Sequence, residues 1–192
     1  MSCLVLDAMG VIFESADDVV ELLIPFISEN AGTSDEEVIQ SAYLEASLGK
    51  LGPDEFWSQV KMSPEFENDY LSLHSLNPDV LELLAFAKKS SVSVWCLSND
   101  VGRWSSKLRN DLGIESFLAG SIISGDVGVR KPDSKIYEIL VERSGYKIKD
   151  LLFVDDREKN VMAARDFGIE TILFKPAEGF KNAKDWISRR AL

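Results

Sequence analysis

The stretch that decides the fold is CLVLDAMG, Cys3–Gly10, in which four apolar residues lead into Asp7 and a glycine-containing turn. A second stretch, LLFVDD, Leu151–Asp156, repeats the arrangement far along the chain with two acids after the apolar run. Short apolar runs bounded by turn residues are typical of buried strands. Chemistry in an open α/β sheet takes place outside the carboxyl ends of the strands. We therefore expect Asp7, Asp155 and Asp156 to meet at one edge of a sheet.

Three carboxylates at one edge predict a metal ion. Clustered carboxylates repel one another unless a cation or a proton neutralises them. Hard divalent cations prefer oxygen ligands, and Mg²⁺ is the usual one bound by a few carboxylates. The pattern therefore predicts Mg²⁺ as the cofactor.

Composition excludes several functional classes. The 192 residues are 45% hydrophobic and carry a formal net charge of −11, so a nucleic-acid partner is not expected. No apolar run approaches the roughly 18 residues of a membrane span. Cys3 and Cys96 lie in apolar runs and are expected to be buried free thiols of a cytoplasmic protein. His74 is the single histidine, which disfavours histidine-based triads and metal sites.

Strand and helix signals alternate from Ser91 to the end of the chain, which predicts a parallel sheet covered on both faces. Residues 15–76 instead carry helical patterns without a strand. The fold class is therefore a Rossmann-like α/β core, residues 1–14 and 77–192, with a small helical cap domain, residues 15–76, inserted after the first strand. The predicted strands cover residues 3–7, 92–97, 119–123, 151–154 and 170–174, and the predicted helices of the second half cover 101–112, 133–144, 158–167 and 180–190.

Capping signals mark several helix starts in the first half of the chain. Ser34 followed by Glu37 predicts a capping box for a helix over residues 35–48. Asn77 and Pro78 predict an N-cap and a first helical residue. Pro25 is expected to interrupt or kink a helix over residues 16–30.

Four polar segments that follow strands fit phosphoryl transfer. An aspartate such as Asp7 can act as a covalent nucleophile on phosphorus. A hydroxyl, backbone N–H groups and a lysine can hold the phosphoryl oxygens, and Ser98, Asn99 and Lys131 supply them. The segments are 7–11, 97–100, 128–133 and 154–160.

In their order, these segments resemble the four motifs of the haloacid dehalogenase-like hydrolases, and the helical insert resembles that family's type 1 cap. Within the family, the motifs look closest to small sugar-phosphate phosphatases and to the N-terminal phosphatase domain of soluble epoxide hydrolase. The resemblance implies that Asp7 is the nucleophile and a metal ligand and that Asn160 braces the fourth motif. Further metal ligands would be the backbone carbonyl of Met9 and the carboxylate of Asp156. Asp155 would either be an alternative ligand or support the ligands.

The same resemblance assigns substrate-binding residues. Ser98, Asn99 and Lys131 would bind the phosphoryl group. Lys50, in the sequence Gly49–Gly52 of the insert, is either a substrate-facing cap residue or a solvated loop lysine. The implied ligand is a small anionic, phosphorylated metabolite, and the sequence indicates no oligomeric state.

Met9 departs from the pattern of the family's phosphatases. Those enzymes carry a second aspartate at this position, which protonates the leaving group and then activates water. Methionine has no titratable proton, and losing a positioned acid–base group typically costs about 10²- to 10⁴-fold in rate. Three alternatives follow: a weak phosphatase, a phosphatase in which another group substitutes, or a different reaction.

Three functions remain open at this point. The first is hydrolysis of a phosphate ester through an aspartyl-phosphate on Asp7. The second is a catalytically impaired protein that binds a phospho-ligand or a partner. The third is 2-haloacid dehalogenation, which the acids at 155 and 156 disfavour because they would repel a haloacid carboxylate.

Overall fold

The computed structural model describes residues 2–30 and 32–190. Within these residues, five parallel strands form one sheet in the order β3-β2-β1-β4-β5, which confirms the predicted α/β class. The first and last residues of the predicted domain boundaries, 1 and 192, lie outside the described residues, and the division into two domains stays a prediction. The strands are β1 Cys3–Leu6, β2 Ser93–Ser98, β3 Gly120–Ile123, β4 Leu151–Asp155 and β5 Glu170–Leu173.

Helices fill the segments between the strands and an irregular helical stretch follows β1. A π-helical turn, Val19–Leu23, leads directly into α1, and 3₁₀ turns occur at Pro64–Phe66, Glu115–Phe117 and Ile148–Asp150. No helix in the described ranges has the length and apolarity needed to cross a bilayer. The α-helices are α1 Ile24–Glu29, α2 Glu36–Ala46, α3 Pro53–Gln59, α4 Glu67–Leu71, α5 Val80–Lys89, α6 Gly102–Asp111, α7 Ser124–Val127, α8 Ser134–Ser144, α9 Glu158–Asp166 and α10 Lys181–Arg190.

β1 is the centre of the sheet and is buried on both faces. Side chains alternate along a strand, so Leu4 and Leu6 enter one apolar cluster while Cys3 and Val5 enter the other. Continuous apolar strands are typical of parallel sheets covered by helices on both sides. Cys3 and Cys96 are buried free thiols, as predicted, and burial raises the pKa of each to about 12.

The helical insert packs firmly on the sheet domain. Its aromatic side chains Phe56, Trp57 and Tyr70 surround Trp104 of α6, with ring centroids 5.0–5.6 Å from that of Trp104. Trp57 is fully buried. The apolar residues of the insert therefore belong to the same cluster as one face of the sheet.

A buried carboxylate, Glu67, ties the insert to α6. Its Oε2 accepts hydrogen bonds from the indole N–H of Trp104 at 2.8 Å and from Arg103 Nε at 3.1 Å, and its Oε1 lies 2.7 Å from Lys107 Nζ. Burial opposes ionisation, but the hydrogen bonds from Arg103, Lys107 and Trp104 outweigh it and lower the pKa of Glu67. The carboxylate thus bridges α4 and α6 in its charged form.

Two predicted helix starts are wrong. The N-cap of α2 is Asp35 instead of Ser34, because the Asp35 carboxylate accepts from the backbone N–H groups of Glu37 and Val38. α5 begins at Val80, with Asp79 as the residue before it.

Asn77 caps no helix and instead holds the loop after β1. Its side-chain amide donates to the carbonyls of Gly10, Val11 and Phe13 at 2.9–3.3 Å. These carbonyls turn inward, where they need a donor, and Asn77 satisfies three at once. Pro25 does not end the helix either: it is the second residue of α1, where the π-helical turn Val19–Leu23 passes into an α-helix, so the helix changes type beside the proline.

We predict that Glu67→Gln lowers the free energy of unfolding by about 1–3 kcal/mol, because the indole and guanidinium donors lose a charged acceptor. Urea denaturation at pH 7 measures the difference, with exposed Glu65→Gln as the matched control. Since the pKa of Glu67 is lowered by folding, its contribution is present above the ordinary pKa of glutamate and is lost as the pH falls through the lowered value. A difference that did not shrink in acid would contradict a role for the charge.

Candidate active site

Three carboxylates meet at the carboxyl edge of the sheet, as the sequence predicts. Leu6 pairs with Val154 in the ladder, and the Asp7 N–H donates to the Val154 carbonyl at 2.9 Å. This register sets Asp7 beside Asp155, so that one oxygen each of Asp7, Asp155 and Asp156 lies within 4.8 Å of the others.

Lys131 sits between two of these acids as a buried cation. Its ammonium lies 2.6 Å from Asp7 Oδ1 and 2.7 Å from Asp155 Oδ2, and it donates to the Leu97 carbonyl at 2.8 Å. Burial alone would lower the pKa of Lys131, but the charges and hydrogen bonds of Asp155 and Asp7 outweigh this effect and raise that pKa. The ammonium group is therefore charged and uses its three donors on three acceptors.

The pKa values of the two acids that Lys131 contacts shift in opposite directions. Burial raises the pKa of Asp7 well above its ordinary value; the charges of Asp155 and Asp156 add to this effect, and Lys131 opposes it. Burial also opposes ionisation of Asp155, but Lys131, the Arg157 N–H and Asn160 outweigh it and lower that pKa. Asp155 is thus the fixed anion of the pair, and Asp7 is the carboxyl whose charge depends on further neutralisation.

Asp156 is the third acid of the cluster, and one of its carboxylate oxygens accepts no hydrogen bond from the described residues. Its Oδ1 is buried and has no hydrogen-bond partner among the described residues, while burial and the charge of Asp155 raise its pKa. Gly10 makes room for this carboxylate, since a Cβ there would lie 2.5 Å from Asp156 Oδ2. An unpartnered buried carboxylate oxygen beside two further acids fits the oxygen-ligand preference of a hard divalent cation.

Asp155 and Asn160 form the support behind this cluster. Asp155 Oδ1 accepts from the Arg157 N–H at 2.8 Å, and the Asn160 amide donates to both oxygens at 3.1 Å. With Lys131 also bonded, Asp155 has little free capacity. These contacts agree with the role predicted for Asn160 and favour Asp155 as a support for the ligands over Asp155 as a ligand.

Ser98 is the last residue of β2, and Asn99 follows it at the same edge. Asn99 forms two hydrogen bonds with the backbone of Lys131: its amide donates to the carbonyl at 2.9 Å and its Oδ1 accepts from the N–H at 2.7 Å. The Asn99 side chain therefore positions the lysine loop. Ser98 is buried and lines the cavity beside Asp7.

A cavity of about 460 Å³ opens above Asp7 and is bounded by both parts of the chain. The sheet domain contributes Asp7, Met9, Ser98, Asn99 and Lys131, which the sequence singled out. The insert and neighbouring loops contribute residues that it did not: Asp17, Asp18, Tyr43, Leu44, Arg130 and Lys159. Four cationic residues, Arg130, Lys131, Arg157 and Lys159, line this cavity in a chain with a net charge of −11.

Lys50 does not belong to this cavity. It is exposed and is absent from the cavity wall, because its loop packs against the turn at Gly125, whose carbonyl would lie 2.4 Å from a Cβ at Gly49. Of the two alternatives for Lys50, this placement favours the solvated loop lysine. Arg130, which contacts Ser47 of the insert, is a cation that does line the cavity. The position of Arg130 directly before Lys131 is the sequence feature that could have identified it as a cavity residue.

Arg157 and Glu14 differ in their relation to the cavity. Arg157 is partly buried, lines the cavity and donates to the Ala16 carbonyl at 3.0 Å and to Asp17 at 3.3 Å. Glu14 is exposed, accepts from the Ser75 hydroxyl and is absent from the cavity wall.

Comparison with protein-family models gives one assignment. A model for the haloacid dehalogenase-like hydrolases matches residues 1–168. Among curated proteins, flavin mononucleotide hydrolase 1 of Arabidopsis thaliana is 32% identical over 82 residues, which cover 43% of this chain and 33% of that protein. Glyceraldehyde 3-phosphate phosphatase of Methanopyrus kandleri is 30% identical over 98 residues, which cover 50% of this chain and 41% of that protein. The matches thus span less than half of each relative.

Solved structures share the fold over more of the chain. A HAD family enzyme from Bacteroides thetaiotaomicron, in complex with magnesium and inorganic phosphate, has a TM-score of 0.81 at 21% identity and covers 95% of this chain and 98% of its own. L-2-haloacid dehalogenase from Xanthobacter autotrophicus has a TM-score of 0.62 at 19% identity, with coverage of 89% and 76%. At these identities the likeness concerns the fold alone.

We predict that Lys131→Met lowers the free energy of unfolding by about 3–5 kcal/mol at pH 7.5 in metal-free buffer, because two buried carboxylates lose their shared cation. Without Lys131, folding would raise the pKa of both acids, so the loss should appear as the pH rises and shrink toward pH 5, where protonation removes the repulsion. Chemical denaturation across this pH range measures it, with exposed Lys135→Met as the control. A loss independent of pH would contradict the electrostatic origin.

Proposed function

We propose that this chain, which belongs to the haloacid dehalogenase-like hydrolases, is a Mg²⁺-dependent phosphatase of small phosphorylated metabolites. The observation that carries the proposal is the Asp7 carboxylate at the base of a cation-lined cavity, beside Lys131 and two further acids. A carboxylate at this position can attack phosphorus and form an aspartyl-phosphate.

The residues around Asp7 divide the work of holding the phosphoryl group. Lys131 would stabilise the phosphoryl oxygens and oppose the rise in the pKa of Asp7, while Ser98 and the Asn99 backbone N–H would donate to the phosphoryl oxygens. Asn99 holds the lysine loop through its side chain. Because Lys131 is fixed by three acceptors before any substrate binds, its charge is already oriented toward the reacting group.

Asp7, Asp156 and the Met9 carbonyl are the proposed Mg²⁺ ligands, with Asp155 supporting them. A bound Mg²⁺ would neutralise the clustered carboxylates and polarise the phosphoryl group. The unpartnered Asp156 oxygen supports this placement, as does the magnesium and phosphate bound by the Bacteroides enzyme of the same fold.

The residues that line the cavity also indicate which kind of substrate it would bind. Arg130, Arg157 and Lys159 add positive charge beyond Lys131, whereas exposed Val20 and Leu44 add apolar surface at the insert. This combination suits a monophosphate whose remaining part has both polar and apolar surface. The names of the two curated relatives, a flavin mononucleotide hydrolase and a glyceraldehyde 3-phosphate phosphatase, support phosphate-ester substrates.

Dehalogenation fits the site less well than phosphate hydrolysis. Two acids within 4.8 Å of Asp7 would repel a haloacid carboxylate. A protein that only binds a phospho-ligand would have the same geometry, and it differs from a phosphatase only in releasing no product.

We predict Mg²⁺-dependent release of inorganic phosphate that Asp7→Asn abolishes, because an amide cannot serve as the nucleophile. Phosphate release is measured with flavin mononucleotide, glyceraldehyde 3-phosphate and 4-nitrophenyl phosphate, in Mg²⁺ and in EDTA. Asp156→Asn should raise the Mg²⁺ concentration needed for half-maximal activity, and exposed Asp69→Asn is the control. Halide release without metal would indicate a dehalogenase, and Mg²⁺ and phosphate binding without turnover would indicate a binding protein.

We also predict that Met9→Asp raises phosphatase activity at least about tenfold, because it restores an acid two residues after the nucleophile. The comparison uses kcat for each substrate above, with thermal unfolding as a check on folding. If Met9→Asp folds normally and gives no gain, the missing acid does not limit turnover.

A further inference from the structure

We propose that Asp18, at the start of the π-helical turn of the insert, is the acid–base group of this site and acts, less efficiently than an aspartate at position 9 would, in place of the acid that Met9 cannot supply. The proposal rests on the proposed phosphatase function and identifies a catalytic residue for it. Asp18 lines the same cavity as Asp7 and Met9, so the leaving group of a phosphate ester bound at Asp7 extends into the space that Asp18 bounds.

Asp18 is the cavity carboxyl with the right surroundings. Among the described residues, the other cavity carboxyls are Asp7, assigned to attack, and Asp17. Asp17 contacts Arg157 at 3.3 Å and accepts from the Val20 N–H at 3.3 Å, so it is held by charge and backbone. Asp18 is 5% exposed, and no cationic side chain of Lys or Arg in the described chain forms an ion pair with it. Asp18 is therefore the cavity carboxyl that is neither assigned to attack nor held in an ion pair with Lys or Arg within the described residues.

The buried side chains of Tyr70 and His74 lie next to the Asp18 carboxylate. The Tyr70 hydroxyl donates to Asp18 Oδ2 at 3.2 Å, and His74 Nε2 lies 3.9 Å from the same oxygen. His74 Nδ1 lies 3.2 Å from the Leu71 carbonyl; because a carbonyl only accepts, Nδ1 carries the hydrogen. Nε2 is buried and has no hydrogen-bond partner within the described residues, so its hydrogen-bonding capacity next to Asp18 is unused.

Asp100 and Tyr43 are the other buried polar residues near Asp18. Asp100 Oδ2 has no hydrogen-bond partner among the described residues, and burial, together with the charge of Asp18, raises the pKa of Asp100 to about 7. Tyr43 donates to the Asn99 carbonyl at 3.2 Å. The carboxyl of Asp18 therefore joins the cavity to a buried cluster of polar side chains.

The proposed steps balance in atoms and charge. Asp7 forms a bond to phosphorus as the ester P–O bond breaks, and Asp18 gives its proton to the leaving oxygen, which departs as an alcohol. Water then attacks the aspartyl-phosphate; its proton passes to the Asp18 carboxylate, the Asp7 O–P bond breaks, and hydrogen phosphate leaves. The pair of steps restores Asp7 as a carboxylate and Asp18 as an acid.

A double-mutant experiment separates this role from a structural one. We expect Asp18→Asn to lower kcat by about 10²-fold or more with an alkyl phosphate such as glyceraldehyde 3-phosphate, with little change in KM. In a Met9→Asp background the same change should cost less than about threefold, because the new aspartate performs the proton transfers. A structural role would cost the same in both backgrounds. Asp69→Asn serves as the control, and thermal unfolding verifies each variant.

A second measurement keeps the test decisive if Met9→Asp does not fold. The 4-nitrophenolate leaving group needs no protonation, so Asp18→Asn should spare formation of the phospho-enzyme from 4-nitrophenyl phosphate and slow its hydrolysis. Radiolabelled phosphate should then accumulate on Asp7. Equal losses with both substrates and no accumulation would overturn the role of Asp18. Absence of phosphate release from the unmodified protein would overturn the proposed function itself.

Discussion

The buried ammonium group of Lys131 is the interaction on which the rest of the site depends. It contacts Asp7, Asp155 and the Leu97 carbonyl, so that it joins the ends of β1, β2 and β4 through one charge. Two carboxylates buried side by side would otherwise be too costly to keep ionised. Burial and the charge of Asp155 nevertheless leave Asp7 with a raised pKa, and a cavity opens above it. One cation therefore does not neutralise the cluster of acids fully.

A second buried charge, on Glu67, connects the insert to α6 in the way that Lys131 connects the strand ends. It accepts from two indoles and two cationic side chains, and it holds α4 against α6. The insert therefore reaches the cavity as a packed part of the structure, with Tyr43 and Asp18 at defined positions. A π-helical turn at Val19–Leu23 follows Asp18 directly, and such turns occur frequently at functional sites.

Most of the fold and the centre of the site could be predicted from local patterns. The apolar runs of β1 and β4, the acids that end them and the alternation of strands and helices predict where Asp7, Asp155 and Asp156 converge, because parallel strands deliver their carboxyl ends to one edge. The errors concern local hydrogen bonds. Asn77 has the signature of an N-cap, but inward carbonyls of the loop after β1 compete for its amide.

The sequence by itself thus determined the sheet, the nucleophile candidate and the lysine loop, since these follow from periodicity and from residues within one segment. Only the tertiary structure decided which residues of the insert bound the cavity. It excluded Lys50, whose loop packs against Gly125, and it included Arg130 and Asp18. The physical reason is that helix packing sets where side chains of the insert fall on the sheet domain, and the spacing of apolar residues specifies a buried face without specifying what lies opposite.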